Sequence, residues 1–326
     1  MELLMGLDTS CYTTSMAVIN KQGKIIAKTE RPLEVAMGKG GLRQSEAVFQ
    51  HINNLPQGLT EIKKQLNVNN LDLNLAAIAV SSRPRPIEGS YMPVFKVGDS
   101  YAKALSLSSG IPLLEYTHQE GHIASIVYEK SNNIRLEDMD KFLVFHVSGG
   151  TTELLICHTK GKFSSFDIEI IGGTKDIAAG QLIDRTAKLM NLPFPGGPHL
   201  EKLGDQSGQT DISVPFSVED TKINFSGPET HIKRLIHNED YPKPAVARGI
   251  EQCVAKSLLT VLENALKKHQ VKNILFVGGV MSNSYIKNYL SKNISNEKYN
   301  LIFGSPELSK DNAVGVAWLG YNNFFN

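Results

Sequence analysis

Two similar stretches, residues 2–28 and 142–171, constrain the fold of this chain most. Each contains an apolar run, a turn of small or hydroxyl-bearing residues, a second run, a tight turn and a third run. Short apolar runs bounded by turn residues predict β-strands. The same strand pattern, which returns about 140 residues later, predicts a duplicated architecture of two lobes that face one another.

The first turn of each copy is a candidate ligand site. In the first copy it reads Asp8-Thr-Ser-Cys-Tyr-Thr-Thr-Ser15, and in the second it reads Ser148-Gly-Gly-Thr-Thr152. Gly, Ser and Thr present backbone N–H groups and hydroxyls without bulk, which suits a phosphate held between the lobes. Taken singly, each turn is also compatible with an ordinary hairpin.

Apolar residues at spacings of three and four predict amphipathic helices between the two copies. One helix covers 48–66 and must tolerate or bend at Pro56, and another covers 94–105 and ends at Gly110. Their apolar stripes would pack on the sheet of the first lobe, and an exposed remainder could dock a partner helix. The stripe residues are Val48, Ile52, Leu55, Leu59, Ile62, Leu66, Val94, Val97, Tyr101 and Leu105.

The second half of the chain contains further elements that position candidate ligand contacts. An apolar run opens through the two glycines of Gly278-Gly-Val-Met-Ser-Asn283 into a helix, which is a nucleotide-contact geometry. Pro195-Gly-Gly-Pro198 predicts a turn whose two glycines let a ligand approach the backbone. Asp311 is predicted to begin the last helix. A long helix over 250–268 has an inner stripe of Val254, Leu258, Val261 and Ala265, widened by Leu262 and Leu266.

His118 and His122 form a candidate metal site. If the chain becomes helical at Thr117, their spacing places both imidazoles on one face, where their nitrogens can converge on one cation. A third ligand would be needed, and Asp311 is the candidate carboxylate. The two histidines are also compatible with ordinary helix residues. Glu120 would point away from their shared face, and the spacing is not that of an HExxH metalloprotease.

The composition predicts a cytoplasmic protein of two domains. At 326 residues the chain can form two domains of ordinary size, each with its own core. No apolar run approaches the ~20 residues that span a bilayer, and the first residues lack signal-peptide features. Cys11, Cys157 and Cys253 are odd in number and far apart, so no disulfide framework is expected, and Cys157 should lie in the core. A net charge of +1 gives no strong electrostatic footprint for nucleic acid.

A series of motifs, in the same order along the chain, carries a resemblance to a known family. They are Gly6-Leu-Asp-Thr-Ser-Cys11, His118-Gln-Glu-Gly-His122, Val147-Ser-Gly-Gly150, Ala178-Ala-Gly-Gln-Leu-Ile-Asp184, Pro195-Gly-Gly-Pro198, Phe225-Ser-Gly227, Gly278-Gly-Val-Met-Ser-Asn283 and Asp311-Asn-Ala313. With them the chain resembles, over nearly its whole length, the tRNA threonylcarbamoyladenosine biosynthesis transferase family, formerly called the O-sialoglycoprotein endopeptidase or glycoprotease family. The resemblance implies a two-lobed, duplicated α/β fold of the actin-like, sugar-kinase type with a nucleotide in the cleft.

The resemblance also implies the extent of the lobes and the ligand residues. The N-terminal actin-like lobe would cover 1–115, joined by the C-terminal helix at 309–326, and the C-terminal actin-like lobe would cover 116–308. Asp8 and Asp176 are candidate catalytic carboxylates, with the choice left open. The implied ligand residues are His118, His122 and Asp311 for the metal, and His146, Val147, Ser148, Gly149, Gly150, Asp184, Gly197 and Asn283 for the nucleotide and substrate.

The implied activity is transfer of a threonylcarbamoyl group from its adenylate to the exocyclic amine of the adenosine beside the tRNA anticodon. The implied ligands are one divalent metal, iron or zinc, and ATP or threonylcarbamoyl-adenylate. A cation on two imidazoles and a carboxylate can polarise the attacked carbonyl while the glycine turns hold the adenylate. The implied partners are a homologous actin-like subunit, an ATPase of the same pathway and tRNA as substrate, with no membrane.

Four features depart from the pattern of that family. Tyr12 and Thr13 stand where the family has Asp-Glu, Thr151 where it has His or Asn, Glu229 where it has Lys, and Arg83-Pro-Arg-Pro86 where it has Gly-Pro-Gly. A carboxylate that acts as general base is worth ~10²- to 10⁴-fold in rate. The alternative is therefore a catalytically divergent, nucleotide-binding paralogue that acts as a partner or regulatory subunit.

Overall fold

The chain forms two compact α/β units. The computed structural model describes residues 2–10, 12–35, 42–131, 136–208, 212–237, 241–305, 307, 308, 310 and 312–326, so Cys11 and Asp311 lie outside the described residues. Unit 1 comprises Met1–Asp140, His158–Asp167 and Lys310–Asn326, and unit 2 comprises Lys141–Cys157 and Ile168–Ser309. Residues 116–140 group with unit 1, and the lobe boundary at 115 stays a prediction.

Strands and helices are interspersed along the chain. The strands are β1 (Leu3–Asp8), β2 (Thr13–Asn20), β3 (Ile25–Pro32), β4 (Leu75–Arg83), β5 (Leu113–Thr117), β6 (Lys141–Val147), β7 (Thr152–Lys160), β8 (Ser165–Thr174), β9 (Ser217–Glu219), β10 (Lys222–Asn224), β11 (Asn273–Val277) and β12 (Asn300–Phe303). The helices are α1 (Gln44–Val68), α2 (Pro93–Ser109), α3 (His118–Lys130), α4 (Ala179–Leu189), α5 (Gly196–Gly204), α6 (Ser226–His237), α7 (Lys243–Lys268), α8 (Ser284–Asn293) and α9 (Val314–Phe325). The predicted runs of both copies thus form strands.

The two sheets share one strand order, as a duplication requires. The first sheet has the order β3-β2-β1-β4-β5, and the second contains the matching order β8-β7-β6-β11-β12. In the first sheet β4 lies parallel to β1 and β5 parallel to β4. In the second, β11 lies parallel to both β6 and β12. The second sheet continues beyond β8 with the short strands β10 and β9.

Strand β1 is buried on both faces of the sheet in unit 1. Leu3, Met5 and Leu7 point to the side that α1 and α2 cover, as the alternation of side chains along a strand dictates. On the other side a Cβ at Gly6 would lie 2.7 Å from the backbone nitrogen of Ala317. The glycine therefore allows α9 to pack directly on the strand.

The predicted rotation of α1 is partly wrong. Leu55, Ile62 and Leu66 are buried as expected, but Ile52 is 54% exposed and His51 is buried in its place. His51 faces the sheet because its Nδ1 atom is hydrogen-bonded to the hydroxyl of Thr14 in β2 at 2.8 Å. The helix accommodates Pro56 without interruption.

Two further predictions about element ends need correction. Pro195-Gly-Gly-Pro198 is not only a turn, because α5 begins at Gly196. Its first turn is held by Asp184, whose carboxylate accepts from the Gly196 N–H at 2.8 Å. The last helix begins at Val314, after the predicted start, and the side chain of Asn312 accepts from the Val314 N–H at 3.1 Å.

The core of unit 2 lies where α4, α6 and α7 cover the second sheet. Val254, Leu258, Val261 and Ala265 are fully buried, so the predicted inner stripe of α7 is confirmed. Cys157 is also fully buried, as expected. Among the described residues, no helix is both long and apolar enough to cross a bilayer.

Candidate functional site

Three elements of unit 1 bring polar side chains to one edge of the sheet. Because β1, β4 and β5 are parallel, their carboxyl ends meet there. Asp8 ends β1, Ser81 lies near the end of β4, and His118 directly follows β5. One Asp8 oxygen, Oδ2, lies 2.8 Å from Nδ1 of His118 and accepts from the Ser81 hydroxyl at 3.2 Å. The other, Oδ1, accepts from the Ser10 N–H at 2.6 Å.

Helix α3 places the two predicted histidines side by side. Thr117 is the N-cap, and it forms a capping box with Glu120. The ring centroids of His118 and His122 lie 4.3 Å apart with the rings edge to face. The Glu120 carboxylate turns back to the Thr117 N–H and hydroxyl, at 2.9 and 2.8 Å, and is therefore not available as a metalloprotease base. Both the predicted helix start and the shared face of the imidazoles are observed.

Helix α9 packs on α3 next to the histidine pair. A Cβ at Gly315 would overlap the carbonyl oxygen of Gly121, so the first turn of α9 lies directly against the first turns of α3. Asp311 itself lies outside the described residues. Within the described ranges, no group of three or more His, Cys, Asp or Glu side chains is arranged to hold a metal ion.

Unit 2 has a second candidate site at the end of β6. His146 and Val147 end this strand, and both are buried. The turn that follows is closed by the Ser148 N–H, which donates to the Thr151 carbonyl at 2.8 Å. A Cβ at Gly149 or Gly150 would meet only open space, so the backbone of this turn is accessible.

Two glycines from other elements pack against this turn. Gly180, in the first turn of α4, comes so close to the Ser148 carbonyl oxygen that a Cβ would overlap it. Gly278, after β11, has a φ of 96° and lies equally close to the Val147 carbonyl oxygen. A left-handed φ and this close approach both require glycine. The N–H groups at the start of α4 therefore lie beside the Ser148–Thr151 turn, as in sites that bind phosphate.

The other predicted nucleotide contacts in unit 2 are held by hydrogen bonds. Asp184 accepts from Gly196, and burial raises the pKa of Asp184 while this bond opposes the rise. At Gly197 a Cβ would meet open space, so this backbone is accessible. The side chain of Asn283 caps α8 and also donates to Glu251 at 2.7 Å, so both of its polar atoms have protein partners.

Comparison with known sequences decides the family. The sequence profile described as tRNA N6-adenosine threonylcarbamoyltransferase matches residues 24–318. The chain belongs to this family. A protein of that name from Thermosipho africanus is 30% identical over 98% of this chain and 93% of the relative. One from Bacillus cereus is 29% identical over 98% of this chain and 90% of the relative.

Solved structures confirm the predicted fold class. Component A of the (R)-2-hydroxyglutaryl-CoA dehydratase of Acidaminococcus fermentans has a TM-score of 0.58 at 13% identity and covers 99% of both chains. Full-length HypF has a TM-score of 0.61 at 14% identity, over 98% of this chain and 46% of that one. A ROK family glucokinase from Streptomyces griseus has a TM-score of 0.52 at 11% identity, over 97% of this chain and 98% of that one. These proteins share the actin-like and sugar-kinase fold, and at such identities the likeness concerns the fold alone.

Glu229, one of the residues expected to depart from the family pattern, has two cationic neighbours in this chain. Its side chain is only 9% exposed and lies 2.8 Å from Nζ of Lys233, one turn later in α6. Arg185 of α4 approaches it at 3.4 Å. Two cations therefore neutralise the Glu229 carboxylate.

Tyr12, Thr13 and Thr151, which are also expected to depart from the family pattern, are less buried than Glu229. Tyr12 is 40% exposed, and its carbonyl oxygen accepts from the Leu33 N–H at 2.7 Å. Thr13 is half-buried at the start of β2. Thr151 closes the turn that Ser148 begins, through its backbone carbonyl and N–H. The Thr151 side chain is not needed for this closure.

The other candidate catalytic carboxylate, Asp176, is held by the start of α6. It accepts from the N–H groups of Phe225 and Ser226, each at 2.9 Å, and from that of Ile177 at 2.7 Å. Although partial burial opposes ionisation, these bonds and one from the Ser226 hydroxyl lower the pKa of Asp176 to about 2. Such a carboxylate is a weak base and a good helix cap.

Glu251 is a buried carboxylate that the sequence predictions missed, and it is hydrogen-bonded to Asn283, one of the predicted nucleotide contacts. It lies three residues before Val254, so it extends the predicted inner stripe of α7 by one position. A charged residue within an apolar stripe is the signal that could have identified it.

Proposed function

We propose that this chain transfers a threonylcarbamoyl group from its adenylate to the exocyclic amine of the adenosine beside the tRNA anticodon. The observation that carries the proposal is the family match over residues 24–318, which includes the histidine pair, the Ser148–Thr151 turn and the 278–283 segment. The reaction is an acyl transfer with AMP as leaving group. The relatives at about 30% identity bear the name of that activity.

We propose that His118, His122 and Asp311 hold one divalent cation, zinc or iron. The donor set fits, because ligating imidazoles often donate their other N–H to a carboxylate, and Asp8 lies 2.8 Å from Nδ1 of His118 in that position. Asp8 would then orient His118 so that Nε2 is the ligand atom. When bound, such a cation supplies a Lewis acid that polarises a carbonyl and balances the charge of a phosphate.

The packing of α9 supports Asp311 as the third ligand. Gly315 lies against Gly121, which is between the two histidines in sequence. Asn312 is buried and fixes the start of α9 by accepting from the Val314 N–H. A carboxylate just before Asn312 is therefore close in sequence to a segment that packs on α3.

We propose that unit 2 holds ATP or the adenylate. Backbone N–H groups of Gly149 and Gly150 and of Gly180, in the first turn of α4, would receive the phosphate. His146, Val147, Gly197 and the 278–283 segment would supply the remaining contacts, and Asp184 would hold α5 in place. This division of roles requires no strongly basic surface, in agreement with a net charge of +1.

Neither candidate carboxylate is proposed as the general base. Asp8 already accepts from Ser10 and Ser81 and holds His118, which suits a positioning role. Asp176, with its pKa lowered to about 2, is too weak a base for proton removal from an amine. Both act on the site through the residues that they orient.

The proposed partners are tRNA, a homologous actin-like subunit and an ATPase of the same pathway. Phe49 and Ile52 on α1 are 68% and 54% exposed, which supports a docking face for the homologous subunit on this helix. Size measurements of the mixture should show a complex. A protein that always elutes alone in the presence of that subunit would remove this part of the proposal.

A second candidate is a nucleotide-binding partner subunit without catalysis, favoured by the exposed Tyr12 in place of a carboxylate. Purified chain with a partner preparation, unmodified tRNA, threonine, bicarbonate and ATP separates the two readings. Mass spectrometry should detect threonylcarbamoyladenosine in the recovered tRNA. Nucleotide binding without any modified nucleoside would favour the subunit.

A further inference from the structure

Glu251 is a carboxylate that the proposed chemistry does not use, and it is fully buried in α7. An ionised carboxylate in an apolar core costs free energy unless partners compensate it. Its partners therefore indicate why a glutamate stands in the inner stripe of this helix.

Each oxygen of Glu251 has a different partner. Oε1 accepts from Nδ2 of Asn283 at 2.7 Å, and Oε2 accepts from Nη1 of Arg248 at 2.6 Å. A Cβ at Gly204 would lie 2.7 Å from Oε2, so any larger residue there would displace the carboxylate. The end of α5, the middle of α7 and the start of α8 thus meet at one side chain.

The bond to Glu251 determines which way the Asn283 amide points. The Asn283 oxygen accepts from the Ile286 N–H at 2.9 Å and so caps α8. If the amide turned over, its oxygen would face the carboxylate and its NH₂ would face the N–H of Ile286, so both bonds would be lost. Glu251 therefore selects the orientation of Asn283 that caps the helix.

Asn283 ends the segment 278–283, whose first residue, Gly278, packs beside the Ser148–Thr151 turn. Gly278 packs on the Val147 carbonyl, the Met281 N–H donates to the Gly278 carbonyl at 3.0 Å, and the Asn283 N–H donates to the Val280 carbonyl at 3.2 Å. The segment 278–283 therefore packs against the end of β6 at its first residue, and its last residue is hydrogen-bonded to Glu251.

We infer that Glu251 is a positioning residue for the segment 278–283, fixing through Asn283 the backbone that would contact the nucleotide. This inference rests on the nucleotide site proposed above. It assigns no contact between Glu251 and the nucleotide, since the carboxylate is fully buried.

Several charged groups surround Glu251 besides its two partners. Glu201 lies on α5, Asp205 directly follows that helix, and Tyr285 lies on α8. Arg248 donates to Asp205 at 2.7 Å and stacks its guanidinium 4.1 Å from the Tyr285 ring centre. Burial raises the pKa of Glu251 to about 7, opposed by Asn283 and Arg248 and reinforced by Glu201 and Asp205. A bond to an ionised acceptor is stronger than one to a neutral acceptor, so the segment should be held better as Glu251 ionises.

Calorimetric titration of the full chain with AMPPNP tests the inference. We expect Glu251→Gln to weaken binding about 10-fold, because a glutamine oxygen accepts from Asn283 without the negative charge that strengthens the buried bond. We also expect wild-type affinity to rise between about pH 6 and about pH 8 and the affinity of the variant to stay flat. The matched control is Glu263→Gln, on an exposed position of the same helix, which should behave as the wild type.

A second variant separates positioning from general destabilisation. Asn283→Ser keeps a good N-cap for α8 but removes the donor to Glu251. If Glu251 acts through Asn283, the double variant binds AMPPNP no more weakly than the weaker single variant. Additive losses, or unchanged affinity in Glu251→Gln, would overturn the inference alone.

Hydrogen exchange at the Ile286 amide gives a readout that needs no nucleotide. Exchange there should be faster in Glu251→Gln than in Glu263→Gln. Equal exchange in the two variants contradicts the inference. A wild-type protein that does not bind AMPPNP contradicts the nucleotide site and the inference together.

Discussion

The carboxylates of the candidate site differ, residue by residue, in what surrounds their charge. Asp8 receives hydrogen bonds from Ser10 and Ser81 and holds His118. Asp176 receives several N–H bonds at the start of α6, which lower its pKa to about 2. Glu251 has two partners, but burial outweighs them and raises its pKa to about 7. The balance of burial and local donors, rather than residue type, therefore sets the opposite pKa shifts of Asp176 and Glu251.

The histidine pair provides the first prediction. Replacing both, His118→Ala with His122→Ala, should abolish stoichiometric zinc or iron while the fold remains intact, because two of three ligands are lost. Asp8→Asn should lower metal affinity by about 10- to 100-fold, the usual effect of losing an outer carboxylate. Elemental analysis of the purified proteins measures the metal content and titration against a chelator measures the affinity, with the exposed His158→Ala as control. Full metal occupancy in the double variant would refute the site.

The raised pKa of Glu251 predicts an unusual pH dependence of stability. Since the pKa rises from its ordinary 4.5 to about 7 on folding, the folded state binds more protons than the unfolded state between these values. The contribution of Glu251 to the unfolding free energy is therefore fully present below about pH 4.5 and lost as the pH rises through about 7. Urea unfolding of wild type and Glu251→Gln should differ in slope over this range. Parallel pH profiles would show that the carboxylate titrates normally.

The ion pairs of Glu229 with Arg185 and Lys233 predict that a charge swap rescues stability. Glu229→Lys places a third cation beside Arg185 and Lys233 and should lower the unfolding free energy by about 1 kcal/mol or more, whereas Glu229→Gln should cost less. Adding Arg185→Glu to Glu229→Lys should restore part of the loss. Chemical denaturation measures the four proteins. If Arg185→Glu makes the lysine variant still less stable, the two side chains are not coupled.

At the scale of elements, α3 and α9 of unit 1 pack with their backbones in close contact. A Cβ at Gly315 would overlap the Gly121 carbonyl oxygen, so Gly315→Ala should destabilise the protein by roughly 1–3 kcal/mol. Gly227→Ala, in α6, meets open space and should change stability by less than about 1 kcal/mol. Thermal unfolding compares the two. Equal melting temperatures would mean that α9 can move away from α3 at no cost.

The elements that the sequence predicted well are those with a strong local pattern. The strands of both copies, the long helix α7 and the end of α2 at Gly110, which has a φ of 66°, follow from apolar runs, helical spacing and one glycine. The face of α1 did not follow, because a hydrogen bond between His51 and Thr14 fixes its rotation. The start of α5 was missed because its cap, Asp184, comes from another helix.

In the candidate site, too, local spacing was predictable and contacts between distant residues were not. Spacing alone predicted that His118 and His122 share a face, since both lie on one helix. The role of Asp8 beside His118 depends on strand order, and the role of Glu251 depends on Gly204 and Asn283 from two other helices. Such contacts between distant residues leave no spacing signal in the chain.

For the whole molecule, the duplication explains why the two candidate sites have the same place in each unit. Asp8 ends β1 and the Ser148–Thr151 turn follows β6, and these strands occupy equivalent positions in the two sheets. In each unit the strand is neighboured by a parallel strand, β4 or β11, so polar groups collect at one sheet edge. Unit 1 thus offers candidate metal ligands, and unit 2 offers a candidate phosphate-binding turn.

We propose that the chain carries out the transfer step itself. The most direct measurement supplies threonylcarbamoyl-adenylate and unmodified tRNA to the metal-loaded chain with its partner preparation, and follows AMP and threonylcarbamoyladenosine by mass spectrometry. We predict that the two products appear in equal amounts and that both are lost in the variant carrying His118→Ala and His122→Ala. Tight binding of the adenylate with no modified nucleoside would contradict the claim.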